Sequence, residues 1–201
     1  MTSPILYYVM DPMCSWCWGF RPVLNELLEL LPADTRLRHV MGGLAPDTEA
    51  QMPAETRAYV QSMWRAVAER CGAEFNPEFW VRCQPRRSTW PACRAVLATE
   101  QQNSQRVATM ILAIQKAYYL QARNPSERGT LIELAVEIGL DPQRFAAHLD
   151  SAMVQTRLQQ DFELRRQLGA DHFPSLLLEV AGKQHWLTRG YSDLETIRAR
   201  L

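Results

Sequence analysis

The strongest constraint on the fold is an apolar run, Ile5-Leu6-Tyr7-Tyr8-Val9-Met10, which ends at Asp11-Pro12 and leads directly into Cys14-Ser15-Trp16-Cys17. Aromatic and branched residues in an unbroken run between prolines suit a strand buried on both faces. After the cysteines, Phe20, Val23, Leu24, Leu27, Leu28 and Leu31 recur at helical spacing until Pro32 closes the segment. The cysteine pair therefore sits between a buried strand and a helix. Leu37 to Met41 is a second strand ended by Gly42-Gly43, and such a β-α-β opening builds parallel sheets.

From about Pro46 to about Leu168 the chain changes character. Short amphipathic segments are separated by Gly72, Asn76-Pro77, Pro85, Pro91, Asn124-Pro125, Gly139 and Asp141-Pro142. Asp141 reads as an N-cap with proline at the first helical position. Extended sequence returns at Pro174 to Val180, Ala181-Gly182-Lys183-Gln184 reads as a hairpin turn, and His185-Trp186-Leu187 follows. A last helix opens with Ser192 as N-cap and Glu195 three residues on. The expected layout is β-α-β, a helical insertion over residues 46–168, then β-β-α, with 1–45 and 169–201 forming one α/β domain.

A thiol is a poor nucleophile while protonated, and a helix N-terminus favours its thiolate. The first cysteine of a strand-CxxC-helix unit stands at that terminus, and the second lies one helical turn on, within reach of a mixed disulfide at the first. Cys14 is then the nucleophile and Cys17 the resolving thiol. Two other readings stay open: half of a structural zinc site completed by Cys71, Cys83, Cys93 or a histidine, or two ordinary buried cysteines. Against zinc, Cys83 and Cys93 are far apart with two prolines between them and no histidine nearby.

Asp11-Pro12-Met13-Cys14-Ser15-Trp16-Cys17-Trp18-Gly19-Phe20 resembles the active-site segment of DsbA-like proteins, above all their FrnE-like cytoplasmic branch. Gly169 to Leu178 resembles their second motif, with Pro174 in the place of a cis-proline. The resemblance implies an α/β thioredoxin-like fold with a large all-helical insertion and a disulfide-exchanging enzyme of the protein disulfide isomerase kind. It also implies substrate contacts from Ser15, Trp16, Phe173 and Pro174, where an extended peptide can pair with the backbone of Phe173. Taken alone, Pro174 reads as a trans proline opening a strand, a common place for one. Where the periplasmic oxidant carries a buried carboxylate in its first strand, this chain has Tyr8, and the nearest acid, Asp11, serves either as proton acceptor or as loop cap. Cys93 reads as a small core residue or a third redox thiol, and of the four histidines only His172 falls near the site.

Composition bounds the partners. Lys plus Arg and Asp plus Glu number 22 each, so nothing favours nucleic acid or anionic lipid. No apolar stretch reaches the roughly 18 residues of a membrane span, and the first ten residues read as a strand, not a signal peptide. A chain of 201 residues needs no disulfide to hold its core, and five cysteines, an odd number, suit a reducing cytoplasm. The expected partners are protein or small-molecule thiols and disulfides, with glutathione or a reductase regenerating the pair and no bound cofactor or metal. Two further functions compete. Kappa-class glutathione transferases and 2-hydroxychromene-2-carboxylate isomerases share this layout but place a serine where Cys14 stands, and a non-enzymatic binding module would use the insertion as an adaptor and leave the CxxC inert.

Overall fold

The computed structural model describes residues 3–201. Met1 and Thr2, where the reading of the N-terminus as a strand and not a leader begins, lie outside the described residues. Strand β1 (Ile5–Met10) is followed by α1 (Ser15–Gly19), α2 (Arg21–Leu30) and β2 (Arg36–Met41). Seven α-helices intervene before the sheet resumes: α3 (Ala54–Cys71), α4 (Phe79–Arg82), α5 (Trp90–Gln102), α6 (Val107–Tyr119), α7 (Arg128–Glu137), α8 (Pro142–Leu149) and α9 (Ala152–Leu168). The chain closes with β3 (Ser175–Val180), β4 (Lys183–Arg189) and α10 (Leu194–Arg198).

The four strands lie in the order β2-β1-β3-β4, with β2 parallel to β1 and β3 antiparallel to it. Alternation along β1 splits its side chains between two cores. Leu6, Tyr8 and Met10 join a large cluster containing Trp64, Phe79, Cys93 and Tyr119 of the helical segment. Tyr7 and Val9 meet Val40, Leu177 and Ala170 on the opposite face, where Leu164 and Leu168 of α9 cover them. One core thus runs from the sheet into the intervening helices. Its aromatic centre is Trp64, whose ring lies 4.9 Å from Trp80 and 5.3 Å from Tyr119, while Tyr119 stacks on Trp18 at 5.7 Å. The exposed edge of β2 is partly closed by α9, where Asp161 accepts the Met41 N–H at 3.0 Å and pairs with Arg157.

Several local expectations shift. The helix expected over Phe20 to Leu31 begins directly after Cys14 and breaks at Phe20, because Pro22 supplies no N–H and its ring crowds the preceding turn. The hairpin turn is only Ala181-Gly182, both at positive φ (51° and 76°), and Lys183 already pairs with Val180. This is the mirror-image turn whose twist matches antiparallel strands. The last helix is capped by Asp193, which accepts the Thr196 N–H at 2.9 Å, and Ser192 bonds Thr188 at 2.7 Å instead. Asp141 caps α8 as expected, accepting the Arg144 N–H at 2.7 Å.

His39 on β2 lies beside Tyr8, with ring centroids 5.9 Å apart, and burial lowers its pKa to about 4 from the ordinary 6.5. A base depressed in the folded state contributes stability that is full above pH 6.5 and is lost as the pH falls toward 4. Between pH 7 and pH 4.5 this one group should remove about 2.5 kcal/mol, at 1.36 kcal/mol per pKa unit. Urea unfolding at the two pH values should show that loss, and His39→Gln should flatten it; an equally steep loss in the variant would refute the assignment.

Candidate active site

The site lies at the carboxyl end of the central strand β1, where α/β sheets commonly bind ligands. Beyond Met10 the chain turns tightly: the Asp11 carboxylate accepts the Met13 N–H at 2.8 Å and the Asp11 carbonyl accepts the Cys14 N–H at 3.0 Å. This turn delivers Cys14 to the cap position of α1 in extended conformation (φ −83°, ψ 119°). Pairing of Val9 with Ser175 brings the segment before β3 alongside. As a result the Cys14 Sγ lies 3.8 Å from the carbonyl oxygen of Phe173. The Phe173–Pro174 peptide bond is cis. The Phe173 ring packs on Gly42, where a Cβ would fall 2.4 Å from it, so only glycine admits this approach of β2's end to the 171–173 segment. The Arg165 guanidinium lies over the ring, 5.7 Å from its centroid, and donates to the Gly42 carbonyl at 3.0 Å.

A cleft of about 280 Å³ opens at Cys14. Ser15 and Trp16 line it together with Asp171, His172 and Phe173. Tyr59, Met63 and Trp64 of α3 also line it, so the insertion contributes to the site directly. Trp16 is half-buried, its ring 5.5 Å from Tyr191. Arg87 is the only lysine or arginine in the lining. The charge of its neighbour Arg86 is taken up by Glu49 and Glu127, whereas no hydrogen bond or ion pair among the described residues engages the Arg87 guanidinium. Arg87, Tyr59 and Met63 escaped the sequence reading, since an isolated residue in a helical segment carries no motif that points across the fold.

The two cysteines differ. Cys14 lines the cleft and is 7% exposed, while Cys17 is sealed behind it at 0%. Burial pushes the Cys17 thiol well above its usual range, and the adjacent Cys14 sulfur raises it further. Cys17 therefore keeps its proton until it reacts. All five cysteines are free. Cys71 donates to the Val67 carbonyl and Cys83 to the Ala122 carbonyl, each at 3.1 Å, and among the described residues no three His, Cys, Asp or Glu side chains gather as metal ligands.

Asp11 is fully buried. Besides Met13 it accepts the Leu44 N–H at 2.7 Å and the Thr89 hydroxyl at 2.6 Å, with Cys93 Sγ at 3.6 Å. Burial raises its pKa, and these hydrogen bonds pull the other way. The carboxylate thus ties together the active-site turn, the chain after β2 and the entry to α5. These hydrogen bonds make Asp11 a cap of the active-site loop and put Cys93 in the same buried group.

A family model described as thioredoxin matches residues 7–195, the sheet and the whole helical segment included. The chain belongs to this thioredoxin family. Within it the protein is DsbA-like, with the helices inserted between β2 and β3. A solved structure from Nitrosomonas europaea, provisionally described as a protein disulfide isomerase, is 30% identical with a TM-score of 0.88, covering 98% of this chain and 95% of that one. The cytosolic disulfide reductase DsbM of Pseudomonas aeruginosa, solved also with GSH, is 28% identical with a TM-score of 0.80 over 98% of this chain and 96% of DsbM. A curated relative, the ClpXP adapter protein SpxH of Halalkalibacterium halodurans, is 24% identical over 176 residues, which are 86% of this chain and 57% of SpxH. The thioredoxin-family chain spans little more than half the length of the curated relatives it matches. No helix among the described residues is long and apolar enough to cross a membrane.

Proposed function

We propose that this protein is a cytoplasmic thiol–disulfide oxidoreductase in which Cys14 attacks and Cys17 resolves. The observation that carries the reading is the unequal setting of the two sulfurs: one opens on a cleft beside the Phe173 carbonyl, the other is sealed and protonated directly behind it. In the first step the Cys14 thiolate forms a mixed disulfide with one sulfur of the substrate and releases the other as a thiolate. In the second, Cys17 attacks the Cys14 sulfur, loses its proton and expels the remaining substrate thiolate, leaving a Cys14–Cys17 disulfide. A reducing thiol then returns the pair to its starting state.

Glutathione suits this cleft as the co-substrate. Arg87 offers a free cation for a carboxylate, and Ser15, Trp16 and the Phe173 backbone border the sulfur it would reach. The similarity to DsbM, which has been solved with GSH, supports the same choice. The pair should reduce oxidised glutathione, and Arg87→Ala should raise KM by about fivefold, the worth of one partly screened charge contact of about 1 kcal/mol, with kcat nearly unchanged. A protein that turns over neither oxidised glutathione nor a peptide disulfide would sink the assignment. The second reading, a binding adapter with an inert CxxC, rests on the similarity to SpxH. It requires that partner binding survive replacement of both Cys14 and Cys17 by serine in a protein devoid of exchange activity.

A further inference from the structure

The segment that meets Cys14 has little backbone support of its own. Residues 171–173 make no backbone–backbone hydrogen bond among the described residues, and sheet pairing with β1 begins only at Ser175. Beyond them the Pro174 carbonyl accepts the Gly190 N–H at 2.8 Å, which ends the free stretch. Side chains must therefore fix the Phe173 carbonyl, 3.8 Å from the Cys14 sulfur. Ser175 donates to the His172 carbonyl at 2.7 Å, and the Phe173 ring supplies the other anchor. That ring packs on Gly42 and carries the Arg165 guanidinium over it.

Helix α9 grips the end of β2 residue by residue. Asp161 accepts the Met41 N–H, Arg165 donates to the Gly42 carbonyl, and the Phe162 ring fills the space over Gly43, where a Cβ would fall 2.2 Å from it. Through Phe173, Arg165 carries this grip across to the segment beside Cys14. We propose that Arg165 is a positioning residue that holds the Phe173 carbonyl at Cys14 and thereby sets the affinity for extended peptide disulfides. It does not line the cleft, so it acts through Phe173. The inference rests on the exchange reading of the CxxC and adds to it the residue of the helical insertion that fixes the substrate-pairing edge.

Stability alone does not call for an arginine here. Its Nε is buried without a hydrogen-bond partner, and no carboxylate among the described residues pairs with it, whereas Arg157 and Arg166 on the same helix are both paired. A buried donor left unsatisfied destabilises a fold. Its neighbours Leu164 and Leu168 pack, with Phe173, against the apolar cluster of Tyr7, Val9 and Leu177. Methionine, flexible and without a donor, would suit such a place. What arginine adds is the donation to Gly42 and the charge over the Phe173 ring, which are the two contacts that reach the site. A residue that orders a site at some cost in stability is a recurrent feature of functional positions.

Steady-state exchange with two substrates tests this role: two unstructured peptides joined by one disulfide, which can pair along Phe173, and oxidised glutathione, whose carboxylate Arg87 meets. In Arg165→Met the peptide KM should rise about tenfold, since misplacing a binding group by about 1 Å can cost as much as about 10²-fold. The kcat should hold, as expected when binding and not chemistry is lost. The KM for oxidised glutathione should change much less, so the preference between the two substrates shifts. Because the lost donation to Gly42 is offset by removal of the unmet Nε, the variant should melt within about 3 °C of the parent. Arg165→Lys keeps the charge and a donor and should recover part of the peptide affinity. A merely structural role makes the opposite forecast: both substrates would suffer alike, in step with a large fall in melting temperature, and that pattern would overturn the proposal. An unchanged peptide KM in Arg165→Met would overturn it as well. A parent protein that turns over neither substrate would instead overturn the exchange reading, so the two failures are distinguishable.

Discussion

Replacing Cys14 with serine is expected to abolish disulfide exchange, a loss on the order of 10⁶-fold, as when a catalytic nucleophile is removed. The serine hydroxyl does not ionise near neutrality and cannot form the mixed disulfide. Cys17→Ser should behave differently. It leaves the cleft sulfur beside the Phe173 carbonyl and removes only the sealed thiol, so the first exchange proceeds and the adduct persists. Mass spectrometry after incubation with oxidised glutathione should find one bound glutathione on Cys14 in Cys17→Ser and none in Cys14→Ser. An adduct on Cys17 formed at a comparable rate would reverse the assigned roles.

The second large effect concerns Asp11. Its two carboxylate oxygens accept from Met13, Leu44 and Thr89, and alanine would strand the buried Met13 N–H, leave the Leu44 N–H to solvent and leave the Thr89 hydroxyl only the Ala45 carbonyl at 3.4 Å. Each stranded donor costs about 1–3 kcal/mol, and removal of a costly buried acid whose pKa burial already raises offsets part of that. We expect a net loss of about 3 kcal/mol, or about 6–12 °C in Tm for a chain of this size. Leu44 borders the cleft, so exchange should slow as well, while Cys14 itself remains in place. Asp11→Asn keeps one acceptor and should recover part of both losses. An Asp11→Ala protein that melts with the parent would show that the carboxylate ties nothing together.

Much of this was legible in the sequence because the signals were local. A continuous apolar run bounded by prolines determined β1, Asp141-Pro142 marked the start of α8, and the two-residue spacing of Cys14 and Cys17 placed a thiol pair at a strand-to-helix turn. The thioredoxin-like layout followed from those pieces and from the resemblance they carry. Features that depend on distant residues meeting were not readable. Even a nearby partner can decide: Ser192 and Asp193 are both good caps one position apart, and the Thr188 hydroxyl, four residues earlier at the end of β4, claims Ser192. Arg87 and Tyr59 have no pattern to distinguish them from other helix-rich sequence, and they reach the cleft from separate places, Tyr59 from α3 and Arg87 from the connection between α4 and α5. Asp11 drew attention as an acid near the cysteines, yet its role turns on Leu44 and Thr89, which no spacing connects to it.

The contact between Cys14 and Phe173 joins residues 159 positions apart. On a ribosome adding about 5–20 residues per second, the reactive pair emerges first and the wall that faces it follows about 10–30 s later. Throughout that interval the nascent chain carries its thiols without the cleft that selects what they react with. Substrate choice is therefore the last property the protein acquires during synthesis, and chemical reactivity is among the first.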